Sequence, residues 1–368
     1  MMKKKIILIS VSGNTGSDRK VNDLEFFLKK NNFEVNVYNI FEPYFVSNYY
    51  IRSFLCRIKK IPGGRFFALL LADFILYFHC KKNDKIGIIC VTYPLIGIFQ
   101  FINLLKKRYT YFYYIPDMMW MKKYVKNRYW KFFSFFAFMS INTCHFILAP
   151  TASAMIDLIT FIDIKYHNKI LRMSEYCNAD YWQNINSSIP ASDLLNKKFI
   201  FFPGVLKPSK NCINTILAFE KLHQNNKTIV LVLLLNKNKF VEFFKKNNII
   251  LSEEILSAIF FLDNISDSSM KWLYENCSLL SIVSIEEGVG LPILEGQLFN
   301  SNILTSISSA MPQTSGLKAF FADPFSIDSI YNGFLKILNR DLTNSAISFE
   351  ELNEKSLLKD MSHIYNSI

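Results

Sequence analysis

Short apolar runs recur along this chain with helical stretches between them, and that alternation restricts its fold more than any other feature. Lys5–Val11, Glu34–Tyr38, Lys85–Val91, Tyr109–Ile115 and His145–Ala149 each read as a strand rich in β-branched and aromatic residues. A helix is expected over Asp18–Lys30, after the first of them. Strand, helix, strand repeated in this order predicts a parallel, doubly wound α/β sheet. From residue 166 to 197 the periodicity fades and the chain turns polar, with Asn178, Asn184, Asn186, Ser187, Ser188 and Pro190. The alternation then resumes at Lys198–Phe202 and continues through Thr228–Leu235, Ile259–Leu262, Leu279–Val283 and Ile303–Thr305. Helices are expected over Asn211–Leu222, Asp267–Asn276 and, with no strand after it, Phe349–Tyr365.

A chain of 368 residues exceeds what one ordinary core organises. The pattern divides it into an N-terminal α/β domain (1–170), an interdomain passage (171–197), a second α/β domain (198–345) and a C-terminal helix (346–368). Charge follows the same division. Residues 1–198 hold 28 Lys/Arg against 13 Asp/Glu, a balance of +15, whereas residues 199–368 hold 14 against 17, a balance of −3. An acidic partner should therefore meet the N-terminal half. No nucleic-acid motif is present. The basic residues stand among bulky aromatics instead, at Arg52, Arg57, Lys59, Lys60 and Arg65 and again from Trp120 to Phe133. Such stretches fit an anionic membrane surface; a solvated basic face over an ordinary core is the plainer alternative. A spanning helix is not expected, since the apolar run Phe66–Phe78 is interrupted by Asp73 and is short of a bilayer's thickness. The N-terminal Lys-Lys-Lys and Ile-Ile-Leu-Ile read better as a buried first strand than as a signal peptide. Seven Cys without paired spacing imply reduced, buried thiols in the cytoplasm.

One stretch carries chemistry. In Ser284-Ile285-Glu286-Glu287-Gly288-Val289-Gly290-Leu291-Pro292-Ile293-Leu294-Glu295, a buried strand enters a glycine-flanked turn and then a helix, with Pro292 in its first turn. The amides of Val289, Gly290 and Leu291 would then stand at a positive helix end, ready for an anion. Glu287 would sit at the mouth of the turn and Glu295 farther along the helix. A second segment, Phe202-Pro203-Gly204-Val205-Leu206-Lys207-Pro208-Ser209-Lys210-Asn211, puts a lysine where a helix is expected to start. Read alone, the first stretch is equally consistent with a tight structural turn, and the second with a solvated lysine.

Together these segments resemble the Glu-x7-Glu signature and the glycine-turn lysine of family 4 (group 1) retaining glycosyltransferases. Ile265–Cys277 upstream, Asn302–Ser306 with Met311-Pro312-Gln313 downstream, and Asp323-Pro324 extend the likeness over residues 196–345. The resemblance implies a GT-B fold, two Rossmann-like domains facing a central cleft. It also implies transfer of a sugar from a nucleoside diphosphate sugar, with no metal and no other cofactor. By resemblance, Lys210, with Lys207, Gly204 and the amides of Val289, Gly290 and Leu291, receives the diphosphate, Glu295 the ribose, and Glu287 the donor sugar. In the N-terminal half, Gly13 and Gly16 fall where the family has a glycine-rich cleft loop. Asp117 follows Pro116 where many members have His-Asp, and many members carry Arg where Val205 stands. Asp117 is assigned to the acceptor side. The form Gly204-x-Leu206-x-Pro208-x-Lys210-Asn211 is similar to mannosyl- and rhamnosyl-transferring relatives.

With the basic N-terminal half, the resemblance implies a peripheral enzyme at the inner face of the cytoplasmic membrane. It would act on a polyprenyl-diphosphate-linked or other lipid-linked glycan in O-antigen, lipopolysaccharide or capsule synthesis, with no nucleic-acid partner. The competing readings are a catalytically silent subunit that binds a membrane or a partner transferase, and a sugar-nucleotide epimerase or phosphorylase of the same fold.

Overall fold

A computed structural model describes residues 4–10, 16–39, 85–91, 108–118, 128–316, 319–339 and 349–368, with residues 80, 102, 103 and 121. Gly13, the basic stretch 52–65, the apolar run 66–78 and most of 120–127 lie outside the described residues. Two compact units emerge: Met1–Asn178 with Leu352–Ile368, and Ala179–Glu351.

The first unit is built on six parallel strands, β1 (Lys5–Ser10), β2 (Glu34–Asn39), β3 (Ile86–Cys90), β4 (Thr110–Tyr114), β5 (Phe146–Ala149) and β6 (Ile170–Arg172), in the order β2-β1-β3-β4-β5-β6. Side chains leave a strand alternately on its two sides, and here both sides are dry. Ile7, Ile9, Ile88, Tyr111, Tyr113 and Ile147 enter one core with Ala137 and Ile141 of α2 (Arg128–Thr143) and Ala154 and Leu158 of α3 (Ala152–Phe161). Ile6, Leu8, Ile89, Phe112 and Leu148 enter the other with Leu24, Phe27 and Leu28 of α1 (Gly16–Lys30). Coverage on both faces is what makes these runs so apolar.

The second unit repeats the plan with β7 (Lys198–Phe202), β8 (Ile229–Leu233), β9 (Ile259–Phe261), β10 (Leu279–Ile282), β11 (Ile303–Ser306) and β12 (Ala319–Ala322), again all parallel, in the order β12-β11-β10-β7-β8-β9. Its helices are α4 (Ala179–Asn184), α5 (Cys212–Asn225), α6 (Lys237–Lys246), α7 (Glu253–Ser257), α8 (Asp267–Asn276), α9 (Leu291–Leu298), α10 (Met311–Ser315) and α11 (Ile327–Leu338). Ile200, Phe202, Leu231 and Leu233 pack on one face with Ile216 and Phe219 of α5 and Ile330 and Phe334 of α11. On the other, Phe201 meets Tyr274 of α8 edge-on at 5.5 Å. Tyr274 stacks on Phe299 at 6.0 Å, and Trp182 of α4 closes edge-on against both rings at 6.1 and 5.7 Å.

The expected doubly wound α/β architecture is thus present twice, followed by a helix. Two strands escaped the sequence pattern. Ile170–Arg172 and Ala319–Ala322 are three and four residues long at sheet edges, and most of their residues are only partly buried, so the apolar signal is thin. The polar segment read as a passage contains α4, whose Trp182 is fully buried within the second unit. The terminal helix α12 (Phe349–Asn366) returns from Leu352 onward to the first unit, where Leu357, Met361 and Ile364 join the α1 core. There Asp360 Oδ2 accepts from the amide and hydroxyl of Ser174 at 2.9 and 2.6 Å. Five of the Cys are buried free thiols, and burial pushes those of Cys144, Cys212 and Cys277 up to about 12. Among the described residues, no helix is long and apolar enough to cross a membrane.

Beyond the carboxyl ends of β4 and β6, the first unit holds a buried polar triad. Lys20 pairs with Glu175 and donates to the Tyr114 hydroxyl at 2.7 Å, while the Tyr114 hydroxyl donates to Glu175. Burial lowers the pKa of the Lys20 ammonium, with Glu175 opposing that shift, and raises that of the Tyr114 phenol well above its usual value. Removing Glu175 takes from a buried cation its hydrogen-bonded carboxylate and leaves only the lesser influence of Asp23; breaking a buried pair in this way typically costs about 3–5 kcal/mol. Glu175→Ala should therefore shift the urea midpoint strongly toward lower concentration. The double variant Lys20→Met/Glu175→Ala should recover much of the loss.

Candidate functional site

In the second unit, strand order reverses between β7 and β10: from β7 the chain winds through β8 to β9, and from β10 through β11 to β12. The loops leaving such neighbours diverge, and the crevice at their carboxyl ends is where doubly wound sheets bind ligands. Both singled-out segments leave these two strands. Residues 203–211 follow β7 and residues 283–290 follow β10.

The loop after β7 is shaped by three requirements. A Cβ on Gly204 would fall 2.3 Å from the ring of Phe202, so the glycine keeps the chain close to its own strand. Pro208–Lys210 forms a 3-10 turn, and Asn211 then takes a left-handed backbone (φ 57°) before α5 begins at Cys212. Lys210 accordingly stands in the turn before the helix, where the sequence suggests a helix-start lysine. Asn tolerates this conformation better than most residues, and its side chain exploits it. The Asn211 amide, 5% exposed, donates to the carbonyls of Val283 at 3.0 Å and Pro324 at 2.7 Å. The Ser209 carbonyl accepts from the amides of Ile285 and Glu286 at 2.8 and 3.2 Å. The two crevice loops are thereby stitched together through main-chain groups.

The loop after β10 ends at Gly290, whose φ of +86° precedes α9 and its first-turn Pro292. Among the described residues, nothing accepts from the amides of Val289, Gly290 and Leu291. Glu287 lies at the mouth of the turn with its side chain 12% exposed. Its Oε1 accepts from Ser284 Oγ at 3.1 Å and from Lys210 Nζ, whose side chain is 28% exposed. Lysine, carboxylate and amide donors therefore converge at the switch point. Lys207 is exposed on the β7 loop. Glu295 lies deeper, 3% exposed, with Oε2 accepting from the Tyr274 hydroxyl at 2.6 Å.

The site residues foreseen in this unit thus lie on the loops of two adjacent strands and the helix that follows one of them. Asp117 and Gly16 belong to the first unit. Asp117 follows β4 and raises the pKa of Tyr113 and Tyr114 as a lesser cause beside burial. Four residues that shape the site carried no sequence signal of their own: Ser209, Ser284, Ser309 and Thr314. Ser209, through its carbonyl, and Ser309, through its hydroxyl, each make two hydrogen bonds to a loop distant in sequence, Thr314 makes one, and Ser284 bonds Glu287 within its own loop; a serine or threonine in a loop is too common to stand out. Asn211 had a weak signal, as an Asn in the position before an expected helix.

Residues 186–354 match the family model described as glycosyl transferases group 1. Nearly all of the matched residues lie in the second unit, so the similarity to that family centres on it. Over 222 residues the chain is 24% identical to the serotype-specific mannosyltransferase WbdA of Escherichia coli, an alignment covering 57% of this chain and 26% of that protein. The chain thus spans about a quarter of the length of the curated relatives it matches. Among solved structures it resembles a glycosyltransferase from Rickettsia africae (TM-score 0.63, 15% identity, 99% of this chain and 98% of the other). It also resembles the sucrose-phosphate synthase of Thermosynechococcus elongatus (0.68, 12%, 99% of both). A third is Anabaena Alr3699/HepE in complex with UDP and glucose (0.58, 12%, 99% and 95%). At these identities the likeness concerns the fold, and it agrees with the GT-B pattern of two parallel six-stranded α/β units.

Gly290 tests the geometry of the turn without touching its charges. A Cβ there would lie 2.6 Å from Met311 Cε on a backbone that L-residues disfavour. Gly290→Ala should destabilise the second unit by about 1–2 kcal/mol. Its unfolding transition, followed by tryptophan fluorescence in urea, should move to lower concentration.

Proposed function

We propose that this chain is a retaining, family 4 glycosyltransferase that moves a sugar from a nucleoside diphosphate sugar to a lipid-linked glycan. The observation that carries this reading is the convergence of Lys210, Glu287 and the free amides of residues 289–291 at the sheet's switch point. A diphosphate needs cations and N–H donors around its oxygens, and a leaving diphosphate needs them more as its charge grows. Lys210, Lys207 and the three amides supply that environment, so transfer proceeds with EDTA present. Glu287, paired with Lys210, has a second role. A diphosphate that draws Lys210 toward itself releases the carboxylate, which then accepts hydroxyls of the donor sugar. Glu295 takes the ribose. The acceptor hydroxyl's proton passes to the departing phosphate oxygen as the new glycosidic bond forms on the face the diphosphate leaves.

Several lines support the finer parts of this reading. WbdA is named a mannosyltransferase, which favours a mannose-type donor here. HepE is described with UDP and glucose, in keeping with a nucleotide-sugar site on this fold. The +15 balance of residues 1–198 suits an acceptor presented at the anionic inner face of the cytoplasmic membrane, as in O-antigen, lipopolysaccharide or capsule assembly. Asp117 is assigned to the acceptor side.

The test is a panel of donors, GDP-mannose, UDP-glucose, UDP-N-acetylglucosamine and dTDP-rhamnose, incubated with the protein and a bacterial membrane extract. One donor should release its nucleoside diphosphate and raise the melting temperature, because a ligand bound to the native state stabilises it. Glu287→Gln should lower transfer by about 100- to 1,000-fold with an unchanged circular dichroism spectrum. No release from any donor would sink the enzyme reading, and full activity of Glu287→Gln would sink the site.

A further inference from the structure

Glu287 is held on its side-chain end by Lys210 and Ser284, but its backbone is held from a different loop. Ser309, between β11 and α10, lies 22 residues away in sequence, and its hydroxyl closes on both polar groups of the Glu287 main chain. The Glu287 amide donates to Ser309 Oγ at 3.1 Å, and Ser309 Oγ donates to the Glu287 carbonyl at 2.6 Å. Ser309 pairs these groups from a left-handed backbone, φ 58°, which a residue with a Cβ adopts only against a steric cost. Buried serine often serves a core; Ser309 is exposed, so no core packing explains its conformation. Outliers of this kind concentrate where the surrounding structure fixes a functional geometry.

The neighbours of Ser309 extend the same grip. Ala310 and Met311 are fully buried and anchor the start of α10. Met311 packs over Gly290, and Thr314 Oγ1 donates to the Val289 carbonyl at 2.5 Å. Gln297 of α9 donates to the Ser315 carbonyl at 2.7 Å. Residues 309–315 thus grip the turn from Glu287 to Gly290 at Glu287, Val289 and Gly290, and of these three only Glu287 carries a side chain that the proposed chemistry uses.

We propose that Ser309 is a positioning residue that sets the Glu287 carboxylate against the donor sugar. The inference rests on the reading of Glu287 given above. Its reason is geometric. A carboxylate on a two-carbon arm can follow its own side-chain partners, but the origin of the arm must be fixed for the reach to be correct. A displacement of about 1 Å at such a point costs on the order of a hundredfold in rate.

Ser309→Gly is the informative change, since glycine accepts a positive φ without strain and the exposed residue loses only its hydroxymethyl group. Three readouts follow from it. By hydrogen-exchange mass spectrometry, the peptide spanning residues 284–291 should exchange roughly tenfold faster, while peptides of β7 and β10 stay unchanged and the melting temperature does not fall. Affinity for GDP-mannose or UDP-glucose, whichever the native protein binds, should weaken several-fold, while affinity for the matching GDP or UDP stays within twofold. With the active donor, kcat should fall about tenfold to a hundredfold at a KM within a few-fold of native. Unchanged exchange of residues 284–291 overturns the proposal whatever the activity, as does native kcat in a variant whose exchange has risen. A native protein that binds none of these ligands removes the transferase reading instead, and the exchange result then still decides whether Ser309 holds Glu287.

Discussion

The side chain of Asn211 joins three loops that the chain visits far apart in sequence. Its side-chain amide donates to the carbonyl of Val283 just after β10 and to that of Pro324 after β12, from a residue that itself ends the loop after β7. A parallel sheet needs a crossover between successive strands, so residues that meet at its carboxyl edge are necessarily distant in sequence. Main-chain groups at that edge have no further strand to pair with, and buried carbonyls need donors. A buried Asn with a left-handed backbone supplies two such bonds at once. With the Ser209 carbonyl taking the amides of Ile285 and Glu286, it makes the crevice one piece, and Lys210 is placed by the turn immediately before it.

What this piece presents is a balanced charge. Lys210 and Glu287 neutralise each other, which lets a cation and an anion stand half-buried beside free amides without either being left uncompensated. Under the proposed transfer, an incoming diphosphate would exchange one anionic partner of the lysine for another, so binding would disrupt less than at a lone buried charge. The first unit manages its own buried charges differently. Lys20, Glu175 and Tyr114 satisfy one another behind α1, with β4 and the chain beyond β6 contributing the partners.

Much of this was legible in the residues, for reasons that can be located. Ten of the twelve strands lie where the apolar runs stand, because strands covered on both faces have no polar side to blur them. The edge strands β6 and β12 were missed because they are short and half-exposed, so covering selects their residues only weakly. Gly290 and Pro292 announced the turn and the helix, since a positive φ and a first-turn position restrict residue type strongly. Lys210 was legible as a lysine beside a helix start but not in its exact seat, because a 3-10 turn and a left-handed Asn look like a helix start in sequence. The polar stretch 171–197 concealed α4, whose single buried Trp182 is too little to set a period.

By itself, the sequence determined that this chain forms two parallel α/β units and that an acidic pair, a lysine and a glycine turn follow particular strands. These features depend on local periodicity and on backbone conformations open to few residue types, both of which are written in neighbouring residues. Only the tertiary structure decided that Lys210 pairs with Glu287, that Tyr274 takes Glu295, that α12 returns to the first unit and that Ser309 seats the Glu287 backbone. Each of those is a single contact between segments brought together by sheet order, and one hydroxyl or one carboxylate leaves no periodic trace in the chain that carries it.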